Sequence, residues 1–462
     1  MQSLVAAARF LQDATSLEGI TRLLAQLGFD SRSIALTKEE AASIGLPAKD
    51  NCFTITQGKD SRRALTFAIS GESELRPEIS RVANRLAARA PHLLWVITAF
   101  DQKREEFAVA ATEPRKSGAR VVALVAKPHQ IVDSDAETIC ALAAATGDSD
   151  MLLHARWLDI LGRDSVGRRF FKALEACVSK LATDLRLASP TDASELALLY
   201  TSRLLFLSFL ETKGWLDGDH GFLGNRYADC MVQGGGYHRR VLTPLFFGTL
   251  NTEPKNRAGR ANAFGRIPFL NGGLFSRSPL ERRHADSFFS DESLGDLFAD
   301  VLTRYRFTAR EDTTTWSEAA IDPEMLGRAF ESLMSVATRK TSGAFYTPQA
   351  LVVELTRSTL SNALSGPIVS AECVGEALSG EALSKRQVEY LISRLDSIRM
   401  IDPACGSGAF LVHVLEELSN LRQRLGDSRG LHDIRRAVLT NSIFGVDINP
   451  TAVWLCELRL WL

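Results

Sequence analysis

The chain has 462 residues, more than one ordinary hydrophobic core accommodates, and its length predicts two or three domains. Its composition is typical of a globular protein in water, with 45% hydrophobic residues, 24% charged residues and a net charge of −1. No stretch approaches the roughly 18 apolar residues of a membrane span, and the N-terminus lacks a signal-peptide pattern. These features predict a cytoplasmic protein with no membrane partner.

The cysteines argue against a metal centre and against a disulfide framework. Seven cysteines are scattered along the chain without the CxxC spacing that zinc sites use. An odd, dispersed set is typical of reduced thiols in a cytosolic protein. We therefore predict no metal site.

Residues 1–150 show a mixed strand and helix pattern. The strand-like runs are NCFTITQG, RALTFAIS, HLLWVITAF, EEFAVAAT and ARVVALVAK, and helix-like PEISRVANRLAARA lies between the second and third. We predict an N-terminal α/β accessory domain. A PD-(D/E)xK nuclease needs an acid and an ExK pair on adjacent strands to bind Mg²⁺. Asp101 and Lys103 instead fit a polar turn between two strands, which disfavours an intact nuclease and leaves a degenerate one open.

The pattern turns helical over residues 151–336, which we predict to be a connector domain. Long helical patterns occur in two runs, VGRRFFKALEACVSKLATDL and SELALLYTSRLLFLSFLETKGWL. The run IDPEMLGRAFESLMSV at 321–336 begins as helices do, with Asp322 as cap and Pro323 in the first turn.

The connector contains a local excess of positive charge. Between Glu253 and His284 there are seven Lys or Arg residues against two Glu. We call residues 253–284 the basic loop. It is either a solvated loop or a surface that follows a phosphate backbone. The DNA-binding candidates are Lys255, Arg257, Arg260 and Arg266.

Residues 337–462 contain two strand-and-helix units. A strand, a glycine turn and a helix are predicted for DSIRMIDPACGSGAFLVHVLEEL. A strand with an acidic end and a helix are predicted for NSIFGVDINPTAVWLCELRLWL. This alternation predicts a doubly wound parallel sheet. The fold class is therefore α/β plus helical.

The glycine turn does not fit a dinucleotide. Gly406 and Gly408 shape the turn, but the third position, which should be small, is Leu411. The acid expected about twenty residues later is only Asp427, inside a GDSRG loop. No Lys-Ser/Thr follows the glycines, so a P-loop is excluded. These departures disfavour a nicotinamide oxidoreductase.

The same residues fit S-adenosylmethionine. Asp402 ends one strand and can lie near an ammonium group, while the two glycines allow close backbone approach. Asp447 ends the next strand and can accept hydrogen bonds from both hydroxyls of a ribose. The alternative role for each acid is a loop cap.

A further stretch, SGAFYTPQALV at 342–352, places two aromatic residues in a turn before an apolar helix pattern. By itself it could be a helix entry, with Thr347 as N-cap and Pro348 at the first helical position.

Three motifs follow one another along the chain: GAFYTP, DPACGSGAFL and FGVDINPTAVWLCELRL. Their succession resembles the opening of an N6-adenine DNA methyltransferase of the gamma class. The resemblance is to the large fused type IIG restriction-modification enzymes and the BREX-type phage-defence methyltransferases, and it extends over residues 190–462. It implies that residues 337–462 form the first half of a Rossmann-like S-adenosylmethionine-dependent methyltransferase sheet. It also implies double-stranded DNA and other defence-system subunits as partners.

The resemblance assigns roles to individual residues. The FYTP turn closes over the methionine end of the cofactor, the glycine motif follows the first strand, and the acidic motif binds ribose and adenine. The implied cofactor-binding residues are Gly343, Phe345, Tyr346, Thr347, Pro348, Asp402, Ala404, Gly406, Gly408, Asp447 and Ile448.

One motif of this family is missing. Methyl transfer needs an (N/D/S)PP(Y/F/W) motif, whose polar groups hold the target amine while the aromatic residue stacks on a flipped-out base. The sequence contains no Pro-Pro dipeptide, so no catalytic residue is predicted within this chain. We expect the N-terminal part of a longer protein, with a naturally split or degenerate methyltransferase as the alternative. A second hypothesis is a DNA- or partner-binding defence subunit that uses the cofactor as an allosteric ligand.

Overall fold

The computed structural model describes residues 3–46, 53–69, 73–115, 118–147, 149–270, 273–313, 315–325, 327–328 and 347–461. Its contacts divide the chain into two compact units. Unit 1 comprises Met1–Ala197, Gly221–His238 and Asp286–Asp322, and unit 2 comprises Leu198–His220, Arg239–Ala285 and Pro323–Leu462. The division into three consecutive domains at 1–150, 151–336 and 337–462 stays a prediction.

The described chain is an α/β protein with many helices. In chain order the α-helices are α1 (Leu4–Gln12), α2 (Leu17–Gln26), α3 (Lys38–Ser43), α4 (Leu75–Arg89), α5 (Asp133–Ala144), α6 (Asp150–Leu161), α7 (Arg163–Asp184), α8 (Pro190–Thr212), α9 (Phe222–Val232), α10 (Gly259–Asn262), α11 (Pro279–Arg283), α12 (Asp291–Leu297), α13 (Gln349–Leu364), α14 (Ala371–Ser379), α15 (Lys385–Ser397), α16 (Ala409–Arg424), α17 (Leu431–Asn441) and α18 (Pro450–Trp461). Segments of π-helix cover His238–Leu242, Pro244–Leu250 and Phe298–Leu302, and 3₁₀ turns cover Pro128–Gln130, Pro254–Asn256 and Gly273–Phe275.

Unit 1 is built on a mixed seven-stranded sheet whose strands lie side by side in chain order. These strands are β1 (Ser33–Ala35), β2 (Thr54–Gln57), β3 (Arg62–Ala68), β4 (Leu94–Asp101), β5 (Glu106–Arg115), β6 (Gly118–Ala126) and β7 (Trp316–Glu318). The β3–β4 and β6–β7 pairs are parallel, and the other neighbours are antiparallel. The β3–β4 connection runs through α4, since parallel strands need a crossover.

The centre of this sheet is deeply buried. Strands β4, β5 and β6 are near-continuous apolar runs, and most of their residues are buried. Helix α4 packs on the sheet through Ile79, Val82 and Leu86, which recur at the spacing of one helix face.

The candidate site lies in unit 2, in a βαβ arrangement. Strands β8 (Met400–Asp402) and β9 (Ile443–Gly445) pair in parallel, and α16 and α17 connect them. Buried apolar residues of α13 to α16, including Leu360, Val374 and Leu391, form the core beside this strand pair together with Ile443.

The local patterns read from the sequence are largely confirmed. The five strand-like runs of residues 1–150 coincide with β2 to β6 to within three residues at each end, and the helix-like run between them overlaps α4 except at its last residue. Strands β1 and β7 went unpredicted, because three residues are too few to show a period. The helix predicted at 321–336 falls largely outside the described residues, although residues 323–325 and 327–328 are helical.

Within the described residues, α8 is long and apolar enough to cross a membrane by length and composition alone. Of its most apolar stretch, 78% is buried inside the protein. Its apolar side chains are therefore used in packing.

Candidate cofactor-binding site

Two carboxylates stand at neighbouring strand ends in unit 2. Asp402 is the last residue of β8, and Asp447 follows the end of β9 by two residues. Backbone bonds continue past the strands, because the Val446 N–H donates to the carbonyl of Asp402 at 2.9 Å and the Cys405 N–H donates to the carbonyl of Val446 at 3.0 Å. Both acids therefore lie at the carboxyl edge of one parallel pair, where doubly wound folds bind ligands.

The turn after β8 requires its glycines. Gly406 has φ 53° and Gly408 has φ 87°, a left-handed conformation that other residues adopt at a cost. A Cβ atom on Gly408 would lie 2.6 Å from the sulfur of Cys456 in α18. The Gly408 N–H closes the turn onto the carbonyl of Cys405 at 2.8 Å, and α16 begins at the next residue.

Asp447 joins the end of β9 to the glycine turn. Its Oδ2 accepts the N–H of Gly406 at 2.9 Å, and its Oδ1 accepts the N–H of Asn449 at 2.8 Å. A carboxylate oxygen accepts more than one hydrogen bond, so these two bonds leave acceptor capacity for a ligand. The sequence indicated a ligand-facing acid here but not its bond to the turn.

Asp402 carries an unsatisfied oxygen. Its Oδ1 accepts the N–H of Ala404 at 3.1 Å, whereas its Oδ2 is buried and has no hydrogen-bond partner in the described part of the chain. A buried carboxylate oxygen without a donor is costly, and native proteins rarely leave one so. A cationic donor placed beside Oδ2 would remove that cost.

Helix α18 supports the turn from behind. Arg459, only 6% exposed, donates from Nη1 to the carbonyl of Ser407 at 2.8 Å. The thiols of Cys405 and Cys456 lie under the same turn, and burial raises the pKa of both, that of Cys456 to about 12. They are neutral thiols at physiological pH and serve as packing groups.

The residue after Asp447 is apolar and points outward. Ile448 is 80% exposed, whereas most isoleucines in proteins are buried. Its side chain is free to contact a flat apolar group beside the carboxylate of Asp447.

The FYTP turn is only partly described. Gly343, Phe345 and Tyr346 lie outside the described residues, while Thr347 and Pro348 lie within them. Helix α13 begins at Gln349, so Pro348 and not Thr347 occupies the N-cap position. The helix-entry interpretation with Thr347 as cap and Pro348 inside the helix is therefore wrong by one residue, since the backbone of Pro348 is still extended, with ψ 135°.

Asp427, the acid at dinucleotide spacing, is engaged elsewhere. Its carboxylate pairs with Arg429 in the GDSRG loop at 2.5 Å, and this contact lowers the pKa of Asp427 to about 2. Asp447, at the strand end, is the acid beside the glycine turn.

In the described residues of the basic loop, one of the four candidate cations bonds to nearby backbone carbonyls. Arg257 donates from Nε to the carbonyl of Thr252 at 3.1 Å and from Nη2 to that of Pro268 at 3.3 Å. Lys255, Arg260 and Arg266 are exposed, although Lys255 forms a surface ion pair with Glu253 at 2.9 Å. Among the four candidates, these three residues therefore contribute more to the surface charge than Arg257 does.

A buried ion pair holds the end of the basic loop to α8. Arg203, fully buried, forms two hydrogen bonds to Glu281 at 2.6 and 3.0 Å and donates to the carbonyls of Leu274 and Ser276. Burial alone would raise the pKa of Glu281, but the hydrogen bonds and charge of Arg203 outweigh burial and lower it. The sequence showed neither partner as special.

A strand-end acid, a left-handed glycine turn and a second acid beyond the adjacent strand thus stand together at one edge of the parallel pair, the position at which doubly wound folds bind ligands. Residues 378–462 match the family model of the MmeI DNA-methyltransferase domain. The resemblance to DNA methyltransferases, first seen in the motifs, is confirmed.

Two curated relatives have instructive names. The chain is 29% identical over 331 residues to a Methanocaldococcus jannaschii protein that is named, by prediction, a type II restriction enzyme and methyltransferase. The match covers 66% of this chain and 28% of that protein. It is 42% identical over 62 residues to the adenine-specific methyltransferase BrxX of Escherichia coli, covering 13% of this chain and 5% of BrxX. The chain thus spans about a quarter of the first relative's length.

One solved structure is also similar, that of the type IIL restriction-modification enzyme MmeI in complex with DNA. The TM-score is 0.42 at 22% identity, and the match covers 63% of this chain and 35% of that chain.

Proposed function

We propose that this chain is the S-adenosylmethionine-binding portion of a DNA (adenine-N6)-methyltransferase in a bacterial restriction-modification or phage-defence system, acting in the cytoplasm. The observation that carries the proposal is the buried Oδ2 of Asp402, which has no hydrogen-bond partner in the described structure. It lies beside a left-handed glycine turn, and the carboxylate of Asp447 accepts a hydrogen bond from Gly406 in that turn. The relationship to DNA methyltransferases supports the assignment of the cofactor.

The residues fit the cofactor by charge and by space. The ammonium group of the methionine portion would satisfy the Asp402 oxygen, and Gly406, whose Cβ position has no atom within 4 Å, leaves the backbone open to close approach. Asp447 would accept the ribose hydroxyls, and Ile448 would cover the adenine. Bound S-adenosylmethionine supplies an activated methyl group. By the family resemblance, Thr347 and Pro348, with Gly343, Phe345 and Tyr346, would close over its methionine end.

DNA is the proposed macromolecular partner. Lys255, Arg260 and Arg266 are the exposed members of the four candidate cations, and such residues suit a phosphate backbone. Arg257 would contribute by shaping the loop, since its guanidinium already binds backbone carbonyls. Other defence-system subunits are proposed as further partners.

The cofactor assignment is tested by the two acids. Replacing Asp447 with Ala should weaken S-adenosylmethionine binding by about 1.5–3 kcal/mol, because charged acceptors contribute about this much. Asp402→Asn, which keeps an oxygen for the N–H of Ala404 but removes the charge, should also weaken binding. Isothermal titration calorimetry measures both, and circular dichroism checks that each variant is folded.

Asp427→Ala is the matched control, because Asp427 pairs with Arg429 in a separate loop. It should bind the cofactor as the unaltered chain does. Unchanged affinity in a folded Asp447→Ala variant would remove Asp447 from the site, and no binding by the unaltered chain would contradict the proposal.

A second candidate function is cofactor binding without methyl transfer, and the lack of a Pro-Pro dipeptide among the 462 residues favours it for this chain in isolation. We expect the chain to bind S-adenosylmethionine yet transfer no radiolabelled methyl group to DNA. Turnover by this chain alone would show that another constellation replaces the missing motif.

A further inference from the structure

Asp217, in the loop 213–219 that follows α8, has a strained backbone. Its φ is 59°, in the left-handed region that residues with a Cβ atom adopt at a cost. Gly214 and Gly218 in the same loop have φ values of 69° and 76°. Glycine would suit position 217 equally well, yet a carboxylate stands there. Such strain persists where the surrounding structure holds it, and it occurs often at functional sites.

Two hydrogen bonds join Asp217 to the basic loop within unit 2. The N–H of Asp217 donates to the carbonyl of Arg266 at 3.1 Å, and Oδ1 of Asp217 accepts the backbone N–H of Arg266 at 2.9 Å. Gly265 has φ 83°, and a Cβ atom there would lie 2.3 Å from the carboxylate carbon of Asp217. The carboxylate therefore fits against a turn that only glycine can form at this position.

The turn that carries Arg266 is also held by its neighbours in sequence. Phe264 and Ile267 are 8% and 5% exposed, so a buried apolar side chain lies on either side of the turn. The N–H of Gly265 donates to the carbonyl of Asn262 at 3.2 Å, and the N–H of Ile267 donates to that of Gly265 at 3.0 Å. The backbone of Arg266 is thus fixed both locally and by Asp217.

The side chain of Arg266, in contrast, is available. It is exposed, and its guanidinium forms no hydrogen bond or ion pair within the part of the chain that the structure describes. Arg257 and Lys255 differ, because their side chains bond within the basic loop. A fixed backbone with an available guanidinium reduces the conformational entropy that is lost when an anion binds.

We propose that Asp217 is a positioning residue for DNA binding, which holds Arg266 so that its guanidinium contacts a phosphate of the DNA backbone. The inference rests on the proposed DNA partner. Charge complementarity favours DNA, since the basic loop has seven Lys or Arg against two Glu, and one of these, Glu281, is paired with Arg203. The planar fork of an arginine matches two phosphate oxygens. The Asp217 carboxylate binds the backbone N–H of Arg266 and leaves the guanidinium to the phosphate.

Asp217→Gly tests this role, because glycine adopts the left-handed conformation freely and the change removes only the carboxylate. Fluorescence anisotropy of the whole chain with a labelled DNA duplex, at several salt concentrations, gives the salt slope of binding. Arg266→Gln alone should flatten this slope by about one log unit per log unit of salt. In the Asp217→Gly background, Arg266→Gln should flatten it by clearly less, because the arginine is no longer held in place.

Asp217→Asn and Asp60→Gly are the matched controls. Asparagine keeps a side-chain oxygen for the N–H of Arg266 and tolerates the left-handed region, so Arg266→Gln should regain its full effect. Asp60, in unit 1, has φ 44° and no side-chain hydrogen bond among the described residues. Asp60→Gly therefore makes the same backbone change and should leave Arg266→Gln fully effective.

An equal effect of Arg266→Gln with and without the Asp217 carboxylate would overturn the inference and leave the DNA partner standing. No effect of Arg266→Gln in the otherwise unaltered chain would remove Arg266 from the DNA interface, and the inference with it. A purely structural role would lower the melting temperature of Asp217→Gly without changing the effect of Arg266→Gln.

Should Asp217→Gly fail to fold, a crystal structure of the unaltered chain with a DNA duplex decides. A phosphate oxygen within hydrogen-bond distance of the Arg266 guanidinium, with the Asp217 bonds retained, supports the role. A guanidinium that faces solvent in the complex contradicts it.

Discussion

Strands β4, β5 and β6 of unit 1 bury most of their residues, whereas in the strand pair of unit 2 the facing residues Ile401 and Phe444 are 66% and 47% exposed. Parallel strands are usually covered on both faces, so the strand pair is the less protected structure. Long buried ladders give a unit its stability, and short strand ends followed by turns offer backbone and carboxylate groups to ligands. The two regions thus separate the stabilising part of the fold from the part proposed to bind the cofactor.

The first prediction concerns a substitution in the glycine turn. Gly408→Ala should destabilise the chain by about 2–4 kcal/mol, because left-handed strain of roughly 1–2 kcal/mol adds to the overlap of the new Cβ with the sulfur of Cys456. It should also weaken cofactor binding. Urea unfolding and calorimetry measure the two effects.

Gly426 provides the control for Gly408. It has nearly the same φ, 89°, but a Cβ there meets no atom within 4 Å, so Gly426→Ala should show the strain alone. Adding Cys456→Ala to Gly408→Ala should recover part of the loss. Equal costs at the two glycines would mean that the contact with α18 does not constrain the turn.

The second prediction concerns the margin of the seven-stranded sheet, where a buried carboxylate weakens the otherwise stable region. Burial, together with the adjacent Asp322 carboxylate, raises the pKa of Asp312 from its ordinary value of 3.8 to about 7, despite Arg163 and bonds from β7. An acid with a raised pKa binds more protons in the folded state, so stability should fall as pH rises from about 4 to about 7 and level off above.

Asp312→Asn should remove most of that slope, on the order of 1–3 kcal/mol across this range. Urea unfolding at pH 5 and pH 8 measures it. Asp13→Asn serves as the control, because the side chain of Asp13 is 59% exposed and its carboxylate lies as far as 3.9 Å from the guanidinium of Arg22. A pH profile that Asp312→Asn leaves unchanged would assign the slope to other groups.

The third prediction concerns the basic loop and is the smallest in free energy. Replacing Lys255, Arg260 and Arg266 together by Gln should flatten the salt dependence of DNA binding by roughly two to three log units per log unit of salt, since each phosphate contact contributes nearly one. It should weaken all DNA sequences about equally. Fluorescence anisotropy at several salt concentrations measures the slope.

Arg257→Gln separates structure from contact in that loop, because its guanidinium binds the carbonyls of Thr252 and Pro268. It should lower stability and leave the salt slope near its original value. If the triple variant keeps the original slope, the loop docks a protein partner and does not follow a DNA backbone.

Short-range sequence patterns predicted the local structure of this protein. Apolar runs marked β2 to β6, and the motif DPACGSG marked a strand, a turn and a helix, because periodicity and glycine conformation act over a few neighbouring residues. The placement of Asp402 at the end of β8 followed from the same patterns, whereas Asp447, predicted to end its strand, lies two residues beyond β9. The resemblance to DNA methyltransferases rested on these short motifs too.

The contacts between groups distant in sequence depend on the tertiary fold. The bond from Gly406 to Asp447 spans 41 residues, and that from Arg459 to Ser407 spans 52. Likewise, β7 pairs with β6 across almost two hundred residues. Such pairings depend on how packed elements bring side chains together after loop closure, and a local pattern of apolar and polar residues carries no record of that partner choice.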